Sequence, residues 1–482
     1  MSESIDDEVA RWLALPQPTV AKLSEGAWEP AGAQVVALAE LEPERARFER
    51  EIREFVSRSS KEQATSVVTL AIDPDLGPEA FTIDIGDDIG VVAGSTEGIF
   101  RATRQLLHNM RAQGFVPQGH IESAPAVPER GFHLDAARKY YSPQWIRDLI
   151  TQLADLGINS LQWHFSEHEG LRLESESGTI PQSTETISRE EARELLEHAK
   201  SLHVRVVPSL DMPGHLTAML AERPDLQMDV DPDDGRNLKA LDISNPEALG
   251  YALSAIDDYL ELFEDSAHWN LGADEFVDFT KMEKYPQLDA HAKAHLGPDA
   301  TGFDLLTDFV NQVAQHVTAK GKTPRVWNDG MFRSDLVTLD PSVEVCWWTN
   351  WNEEMRPVSD ALQAGHNVLN FDDELLYYVL RNDDWYTLPT ARAIWEQDWH
   401  PGLFSTRPGR EQEVTPPYPT QLLGAHLSVW SDFAGVQTQE EVAQGVSGPV
   451  AAVAERAWNA GSSLTLEEFE ELRQLLGRER AN

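Results

Sequence analysis

The sequence is poor in cysteine and has no long apolar segment. Cys346 is the single cysteine among 482 residues, which excludes an intrachain disulfide and is typical of a reducing compartment. No apolar run approaches the ~20 residues that a membrane-spanning helix needs. Residues 1–8 are acidic, whereas a secretory signal begins with basic residues that an apolar stretch follows. Together these features predict a cytoplasmic protein.

Basic residues are also scarce. The chain has 39 lysines and arginines against 81 aspartates and glutamates, a net charge of −42, and such a surface repels nucleic acid and anionic membranes. A neutral small molecule is the better partner, and most of the acid serves solubility. We expect no cofactor and no bound metal. The composition is compatible with a homo-oligomer but does not define one.

The chain is long enough for about two to three domains, and its patterns change near residues 124–129. Before that point, a helix begins after Ser95, and three segments alternate like strands: residues 66–72, 81–85 and 89–93. Prolines then interrupt regular structure. The sequence therefore predicts a small α/β structural domain over residues 1–127 and a catalytic domain over residues 128–482.

Short apolar strands alternate with well-marked helices in the second domain, as expected for a parallel sheet that helices cover. Ser142 followed by Pro143 begins one helix, and Ser188 with Glu191 forms a capping box for another. Eight candidate strands are present: residues 131–134, 158–163, 204–210, 269–272, 324–327, 343–347, 367–370 and 422–429. That number closes a barrel. The predicted fold is an α/β TIM (β/α)8 barrel preceded by a small α/β domain.

Polar side chains cluster where these strands end. The residues concerned are Asp135, Arg138, His164, Glu167, Asp211, His215, Asp274, Glu275, Asn328, Asp329, Asp372 and Asp432. In a barrel of this kind, the carboxyl ends of the strands carry the active site. The clustering therefore predicts a site at that end.

Tryptophans fall at the same ends of the strands. Aromatic faces that line a pocket match the apolar faces of sugar rings, whereas single tryptophans are more often core residues. Four of them together favour a sugar site: Trp327, Trp347, Trp348 and Trp430. Residues 383–420 form a long irregular segment rich in tryptophan and proline, and such a loop in a compact domain is usually functional.

Asp274 and Glu275 are adjacent in the sequence. Neighbouring side chains of a strand point to opposite faces, so the two acids serve one site only if the strand ends there and the backbone turns. Two carboxyl groups close together in a partly desolvated cleft cannot ionise equally easily, which leaves one of them a proton donor near neutral pH. Hydrolysis of a glycosidic bond requires such a donor.

Two other functions fit parts of the pattern. Residues 164–168, HFSEH, match the His-x-x-Glu-His motif of inverted zinc peptidases, but that motif needs a helix, and here it follows a strand and runs into Gly170. Sensitivity to a chelator would distinguish the two enzymes. A carbohydrate-binding protein that kept the barrel but lost activity is the second alternative. The intact pair of Asp274 and Glu275 argues against it.

Three motifs, in this order, resemble those of the family 20 glycoside hydrolases, which include β-N-acetylhexosaminidases and lacto-N-biosidases. They are RGFHLDAAR at residues 130–138, LDMPGH at residues 210–215 and GADE at residues 272–275. The resemblance covers nearly the whole chain, and the first domain is similar to the small structural domain that precedes the barrel in this family. It implies a retaining exo-glycosidase in which the substrate's own 2-acetamido oxygen attacks the anomeric carbon.

The resemblance also implies roles for single residues. Glu275 would be the general acid and then the base, and Asp274 would accept the acetamido N–H. Tyr378, or its neighbour Tyr377, would donate to the acetamido carbonyl oxygen. Arg138 would hold ring hydroxyls or form a structural salt bridge instead. The other residues assigned to substrate binding are His215, Trp327, Trp430, Asp432 and Trp348, which is favoured over Trp347.

Two positions depart from the family pattern. His215 would keep the acid pair oriented from behind, and its usual aspartate partner is replaced here by Glu167, which belongs with His164 to this supporting layer. Asp432 stands where many members carry a glutamate that binds the distal hydroxyls of the sugar. The expected product is a terminal N-acetylhexosamine, and lacto-N-biosidase-like release of a disaccharide is the alternative. The preference between GlcNAc and GalNAc stays open.

Overall fold

The computed structural model describes residues 11–57, 66–178, 181, 183–231, 235–334, 336–351, 353–383 and 385–478. The acidic residues 1–8, which contribute to the cytoplasmic prediction, lie outside the described residues. Over the described ranges, no helix combines the length and the apolar character that crossing a membrane requires.

The first part of the chain forms a six-stranded mixed sheet with the strand order β1-β6-β4-β5-β3-β2. Its elements are β1 (Val20–Trp28), β2 (Gln34–Ala37), α1 (Glu42–Ser57), β3 (Val67–Ile72), β4 (Phe81–Ile85), β5 (Ile89–Ala93), α2 (Thr96–Gln113) and β6 (Val116–Ser123). The helices α1 and α2 contact each other and bury apolar side chains against the sheet. Ser95 caps α2 by accepting the N–H groups of Glu97 and Gly98, so the helix begins where the sequence predicts.

The second part of the chain forms a closed barrel. Its strands are β7 (Glu129–Asp135), β8 (Ser160–His164), β9 (Arg205–Ser209), β10 (Gln227–Asp229), β11 (Lys239–Leu241), β12 (His268–Asn270), β13 (Thr323–Trp327), β14 (Glu344–Trp347), β15 (Val368–Asn370), β16 (Tyr377–Val379), β17 (Leu403–Ser405), β18 (Gln412–Glu413) and β19 (Leu422–Trp430). Its helices are α3 (Pro143–Asp155), α4 (Arg189–Ser201), α5 (Ala248–Leu260), α6 (Pro286–His295), α7 (Gly302–Ala319), α8 (Val358–Gln363), α9 (Ala391–Glu396) and α10 (Gln439–Asn459).

Parallel pairing runs around the barrel in the order β7, β8, β9, β12, β13, β14, β15 and β19. The barrel closes because β19 pairs with both β15 and β7. Each of the eight predicted strands overlaps one of these, which confirms the TIM-barrel fold. The capping box of Ser188 and Glu191 is present at the start of α4.

The last helix, α11 (Leu466–Arg478), belongs with the first part of the chain rather than with the barrel. The described residues divide into two compact units, with Met1–Ala126, Asp155–Gly157 and Ala454–Asn482 in one and Val127–Ala154 and Ile158–Val453 in the other. The predicted division kept residues 128–482 together, so residues 454–482 move to the first unit. The cap formed by Thr465 and Glu468 marks where α11 begins, but a cap does not indicate what a helix packs against.

A buried ion cluster connects strands inside the barrel. Arg325 of β13 donates to both carboxylate oxygens of Glu129, at 2.8 and 2.7 Å, and to Glu344 at 2.9 Å. His426 adds a contact of 2.8 Å to Glu129. Arg325 is fully buried, so the fold tolerates its charge only because these carboxylates compensate it.

Replacing Arg325 with methionine is expected to lower the free energy of unfolding by about 3–5 kcal/mol, because Glu129 and Glu344 would stay buried without their cation. Urea denaturation followed by circular dichroism measures the loss. Arg392→Met is the matched control, since Arg392 forms an exposed salt bridge with Glu396 and such pairs contribute little. Equal effects of the two substitutions would contradict the prediction.

Candidate active site

A cavity of about 980 Å³ opens at the carboxyl ends of the barrel strands. This volume lies near the upper end of the range of about 300–1,000 Å³ that small-molecule sites occupy. Most of the residues that the sequence assigned to catalysis and substrate binding line it: Arg138, His215, Asp274, Glu275, Trp348, Trp430 and Asp432. The ends of the strands therefore gather these side chains at one site.

The backbone turns where β12 ends, and this turn brings both acids to the cavity. The strand stops at Asn270, whose side chain accepts the Gly272 N–H at 2.7 Å. Ala273 and Glu275 then adopt φ values of 73° and 41°, which residues other than glycine rarely do. Outside strand geometry, neighbouring side chains need not point to opposite faces, so Asp274 and Glu275 both reach the cavity.

The two acids have different surroundings. The side chain of Asp274 is 10% exposed, and that of Glu275 is 51% exposed. Burial raises the pKa of Asp274 well above its usual value, and the neighbouring Asp211 carboxylate raises it further. Glu275 lies open to the cavity, where a substrate can reach it. The pair thus combines a buried acid with an accessible one.

Asp211 approaches the acid pair through a gap that a glycine leaves. Its Oδ1 accepts the Ala273 N–H at 3.2 Å, and burial raises its pKa. Gly272 has a φ of 76°, and a Cβ on it would lie 1.3 Å from Asp211 Oδ1. Only glycine at this position lets the Asp211 carboxylate lie where it does.

His215 connects the acid pair to a buried network. Its Nδ1 contacts Glu167 Oε2 at 2.8 Å, and its Nε2 lies 3.7 Å from both Asp274 Oδ2 and Glu275 Oε2. Burial disfavours the protonated imidazole, but the Glu167 and Asp274 carboxylates outweigh it and hold the pKa of His215 well above its usual value. The longer side chain of Glu167 thus makes the contact expected of the family's aspartate.

Arg138 pairs with carboxylates at the cavity wall. It binds Asp135 Oδ2 at 3.0 Å and Glu167 Oε1 at 2.6 Å, and its guanidinium lies 5.6 Å from the ring centre of Trp430. The bond to Asp135 is the structural salt bridge considered as its alternative role. His164, which is fully buried, reaches the same Glu167 oxygen at 3.3 Å. One carboxylate is therefore shared by Arg138, His164 and His215.

Two neighbouring tryptophans after β13 and β14 face different surroundings. Trp348 lines the cavity, stacks on Tyr377 at a ring distance of 5.9 Å and donates its indole N–H to Asp329 at 3.0 Å. Trp347 is buried and packs near Phe332. The structure thus places Trp348, the residue that the sequence favours, at the cavity.

Trp327 requires a correction to the predicted site. It is 1% exposed and packs against Phe371 and Trp430, at ring distances of 4.8 and 5.9 Å. As the last residue of β13, it points into the barrel, and the interior of such a barrel is filled by inward-pointing side chains. Trp327 is therefore part of the core behind the cavity.

Tyr377, and not Tyr378, faces the cavity. Both residues lie in β16, where successive side chains point to opposite faces. Tyr377 lines the cavity. The Tyr378 hydroxyl donates to Gln437 Oε1 at 3.1 Å and lies against Gly445. The structure therefore corrects the assignment of Tyr378 in favour of the alternative that the sequence left open.

Asp432 belongs to a charge pair at the cavity. Arg381 binds Asp432 Oδ2 at 3.0 Å and pairs with Asp383 as well. The long irregular segment that follows contributes Trp385 and Tyr386 to the cavity wall. The end of the cavity at Asp432 is thus built partly from the loop that the sequence predicts to be functional.

The His-x-x-Glu-His segment lacks the helix that a zinc peptidase needs. β8 ends at His164, and residues 165–168 continue as a loop. Glu167, His168 and His215 bring one potential ligand atom each within 4.8 Å of the others, so these would be the residues to hold an ion. Glu167 is already bound to Arg138 at 2.6 Å, which assigns the segment to the network behind the acids.

Asp329 is a buried residue beside the cavity to which the sequence assigned no role. It accepts the Glu275 backbone N–H at 2.9 Å and the Trp348 indole N–H at 3.0 Å. Its position after a strand end was a signal, but Asp372 shares that signal. Asp372 lies outside the cavity lining, where it accepts the Glu374 N–H at 3.0 Å. Position alone therefore does not separate the two residues.

The barrel, the cavity at its carboxyl end and the paired acids define a glycoside hydrolase. Residues 128–461 match the family model described as glycosyl hydrolase family 20, catalytic domain. The chain belongs to this family, which confirms the resemblance carried by its three motifs.

Known relatives agree with this assignment. A lacto-N-biosidase of Bifidobacterium bifidum is 29% identical over 387 residues, which are 80% of this chain and 33% of that protein. A β-hexosaminidase of Vibrio furnissii is 26% identical over 414 residues, 77% of this chain and 64% of that protein. The chain thus spans about a third to just under two thirds of the length of these relatives.

Solved structures share the fold. The crystal structure of a β-N-acetylhexosaminidase from Bacteroides fragilis matches with a TM-score of 0.77 at 22% identity, and the match covers 97% of this chain and 95% of that one. The likeness extends over the barrel and the preceding small domain.

Proposed function

We propose that the protein is a retaining exo-glycosidase that removes a terminal β-linked N-acetylhexosamine, GlcNAc or GalNAc, from oligosaccharides. The observation that carries this proposal is that Asp274 and Glu275 reach one cavity from adjacent positions. Carboxyl groups so placed are poorly suited to act from opposite faces of one sugar ring, as an acid and an enzyme nucleophile must. The 2-acetamido group of the substrate supplies the nucleophile instead.

In the first step, Glu275 donates its proton to the glycosidic oxygen as the bond between that oxygen and the anomeric carbon breaks. The bonding electron pair leaves with the oxygen of the aglycone. The acetamido carbonyl oxygen attacks the same carbon from the other face and forms an oxazolinium intermediate. Asp274 accepts the acetamido N–H, and its charge opposes the positive charge that develops on the sugar.

In the second step, the Glu275 carboxylate takes a proton from water while the water oxygen attacks the anomeric carbon. The bond between that carbon and the acetamido oxygen breaks, which restores the acetamido group. Two inversions at one carbon leave the β configuration of the substrate unchanged. Glu275 thus serves as acid and then as base, and its exposure to the cavity gives it access to both the aglycone and water.

His215 supports both acids from behind. Because its pKa lies well above the usual value, the imidazole is protonated near neutral pH, and its Nε2 lies 3.7 Å from each carboxyl group. A cation at this place favours the ionised form of Asp274, which is the form that accepts the acetamido N–H. Glu167 holds the ring in position at 2.8 Å.

Trp348 and Tyr377 form the wall at which we place the acetamido group. Their rings are nearly parallel, with an angle of 3° between the planes, and both line the cavity. The Tyr377 hydroxyl is the donor that we assign to the acetamido carbonyl oxygen.

Tyr377→Phe is expected to lower kcat/KM on 4-nitrophenyl β-GlcNAc by about 10²-fold, because the substrate oxygen that attacks would lose a hydrogen-bond donor. Tyr378→Phe is the matched control, since its hydroxyl binds Gln437 away from the cavity, and this variant should keep nearly the full rate. Steady-state kinetics of both variants decide. A loss in Tyr378→Phe alone would reverse the assignment.

Release of a disaccharide, as by a lacto-N-biosidase, is a second candidate function. The cavity has room beyond one sugar ring, and exposed aromatic side chains line it: Trp351, Trp385 and Phe433. Asp432, already bound to Arg381, is shorter than the glutamate that would close the cavity over the distal hydroxyls of a single sugar. These features favour a substrate with a further sugar at the non-reducing end.

Release of 4-nitrophenol from four β-glycosides separates the candidates: the GlcNAc, GalNAc, glucose and lacto-N-biose derivatives. Activity on GlcNAc or GalNAc but not on glucose would support the exo-hexosaminidase. Cleavage of the lacto-N-bioside alone would assign the protein to the disaccharide-releasing enzymes. Inactivity on all four would favour a carbohydrate-binding protein.

We further propose that the enzyme acts in the cytoplasm on short imported oligosaccharides rather than on polymeric chitin. The single cysteine and the acidic residues 1–8 support this location. Comparable turnover on long insoluble chitin would count against the proposed substrate size.

A further inference from the structure

One buried carboxylate binds both halves of the proposed machinery. Asp329 follows β13 and is 2% exposed. The Glu275 backbone N–H donates to its Oδ2 at 2.9 Å, and the Trp348 indole N–H donates to its Oδ1 at 3.0 Å. The first bond holds the proposed general acid, and the second holds the wall at which the acetamido group is placed.

The turn that carries Glu275 relies on acceptors outside it. Ala273 and Glu275 adopt left-handed φ values of 73° and 41°, and their N–H groups donate to Asp211 and Asp329 respectively. Gly330, the residue after Asp329, lies so close that a Cβ on it would be 2.9 Å from the Ala273 carbonyl oxygen. The segment after β13 therefore supports the turn after β12 directly.

The same segment holds Trp348 by its backbone as well as its ring. Asn328 Oδ1 accepts the Trp348 backbone N–H at 2.8 Å, and Asn328 Nδ2 donates to the Thr349 carbonyl oxygen at 2.8 Å. Rotation of the indole would break its bond to Asp329. The position of Trp348 is thus set by two consecutive residues, Asn328 and Asp329.

We propose that Asp329 is a positioning residue that fixes Glu275 relative to Trp348, so that proton transfer to the leaving oxygen and acetamido attack take place on one pose of the substrate. This inference rests on the proposed function. A carboxylate suits the task because each of its oxygens accepts one N–H. An amide has a single acceptor oxygen and would turn its own N–H₂ group toward the second donor.

The chemistry of the position agrees with a functional role. Burial raises the pKa of Asp329 to about 6, although the bonds from Glu275 and Trp348 favour the ionised form. A neutral side chain would be easier to bury here. Acids kept in such surroundings are typical of functional sites.

Asp329→Asn in the full chain tests the proposal with two aryl β-GlcNAc substrates. Phenolate needs a proton to leave, whereas 2,4-dinitrophenolate does not. We expect kcat on the phenyl substrate to fall about 10²-fold because the acid is misplaced. On the dinitrophenyl substrate, kcat should fall at most about a tenth as much, and KM should change little on either.

Asp372→Asn is the matched control. Asp372 follows β15 as Asp329 follows β13, is also 2% exposed and accepts a backbone N–H, but it lies outside the cavity lining. This variant should keep wild-type rates on both substrates. The same selective loss in Asp372→Asn would overturn the proposal.

Three further outcomes are decisive. Equal losses of Asp329→Asn on the two substrates would indicate general damage to the structure and would overturn the proposal, and so would unchanged rates. If the variant does not fold, Asp329→Glu keeps both acceptor oxygens on a longer arm and should show the same selectivity at a smaller size. Wild-type protein that is inactive on both substrates would instead refute the proposed function, and this inference with it.

Discussion

Glu275→Gln is expected to lower kcat/KM on a phenyl β-N-acetylhexosaminide by about 10³-fold while the fold stays intact. Glutamine has the shape of glutamate but no proton to transfer to the leaving oxygen. The side chain of Glu275 is 51% exposed, so the substitution leaves the buried network in place. The melting temperature of the variant should therefore equal that of the wild type.

Substrates with different leaving groups locate the defect of this variant. A dinitrophenyl glycoside needs no acid in the first step, so its first step should lose much less. Water still needs a base in the second step, and added azide, an anionic nucleophile that needs none, should speed turnover and give a β-glycosyl azide. Wild-type turnover of the phenyl substrate would refute the assignment of Glu275.

Asp274→Asn is expected to lower kcat/KM by about 10²- to 10³-fold on both the phenyl and the dinitrophenyl substrate. Asparagine can still accept the acetamido N–H, but it carries no charge to oppose that of the oxazolinium intermediate. Because the acetamido group must attack whatever leaves, the loss should not depend on the leaving group. A rate equal to that of the wild type would refute assistance through Asp274.

The same substitution should stabilise the protein at neutral and alkaline pH. Burial, and then the charge of Asp211, raises the pKa of Asp274 well above its usual value, so the folded protein retains a proton that the unfolded chain has lost. The stability linked to this proton is fully present below about pH 4, near the unfolded pKa, and is lost as the pH rises through the folded pKa.

Asparagine at position 274 does not ionise, so the variant escapes that loss. Its gain in melting temperature over the wild type should be absent near pH 4 and grow to a few degrees by pH 8, on the scale of about 2–4 °C per kcal/mol. Differential scanning calorimetry over this range measures it. A gain that does not change with pH would contradict the proposed burial of a carboxyl proton.

The barrel could be predicted from the sequence because its strands are buried on both faces. β7 is buried at every position, and such strands stand out as short apolar runs between capped helices. β1 of the first unit is mostly exposed, so its alternation is weak, and the sequence analysis did not predict it. The same physical difference explains why the boundaries of the barrel were easier to locate than the full extent of the first unit.

The acid pair could be predicted because adjacency itself requires a turn, whereas the direction of single side chains in short strands could not. Alternation shows that Tyr377 and Tyr378 point to opposite faces, but not which of them faces the cavity. The pairing of Tyr377 with Ser428 of β19 fixes that phase. Trp327 fails for the same reason, since a residue at the end of a strand points either into the barrel or toward its mouth.

Gly272 restricts the mutational paths open to this enzyme. Even alanine would bring its Cβ to 1.3 Å from Asp211 Oδ1, so position 272 accepts a side chain only if residue 211 changes at the same time. Active clones from a library of single substitutions should all retain this glycine. New specificity is therefore accessible one step at a time through exposed wall residues such as Trp351 and Trp385, while the base of the site can change only by paired substitutions.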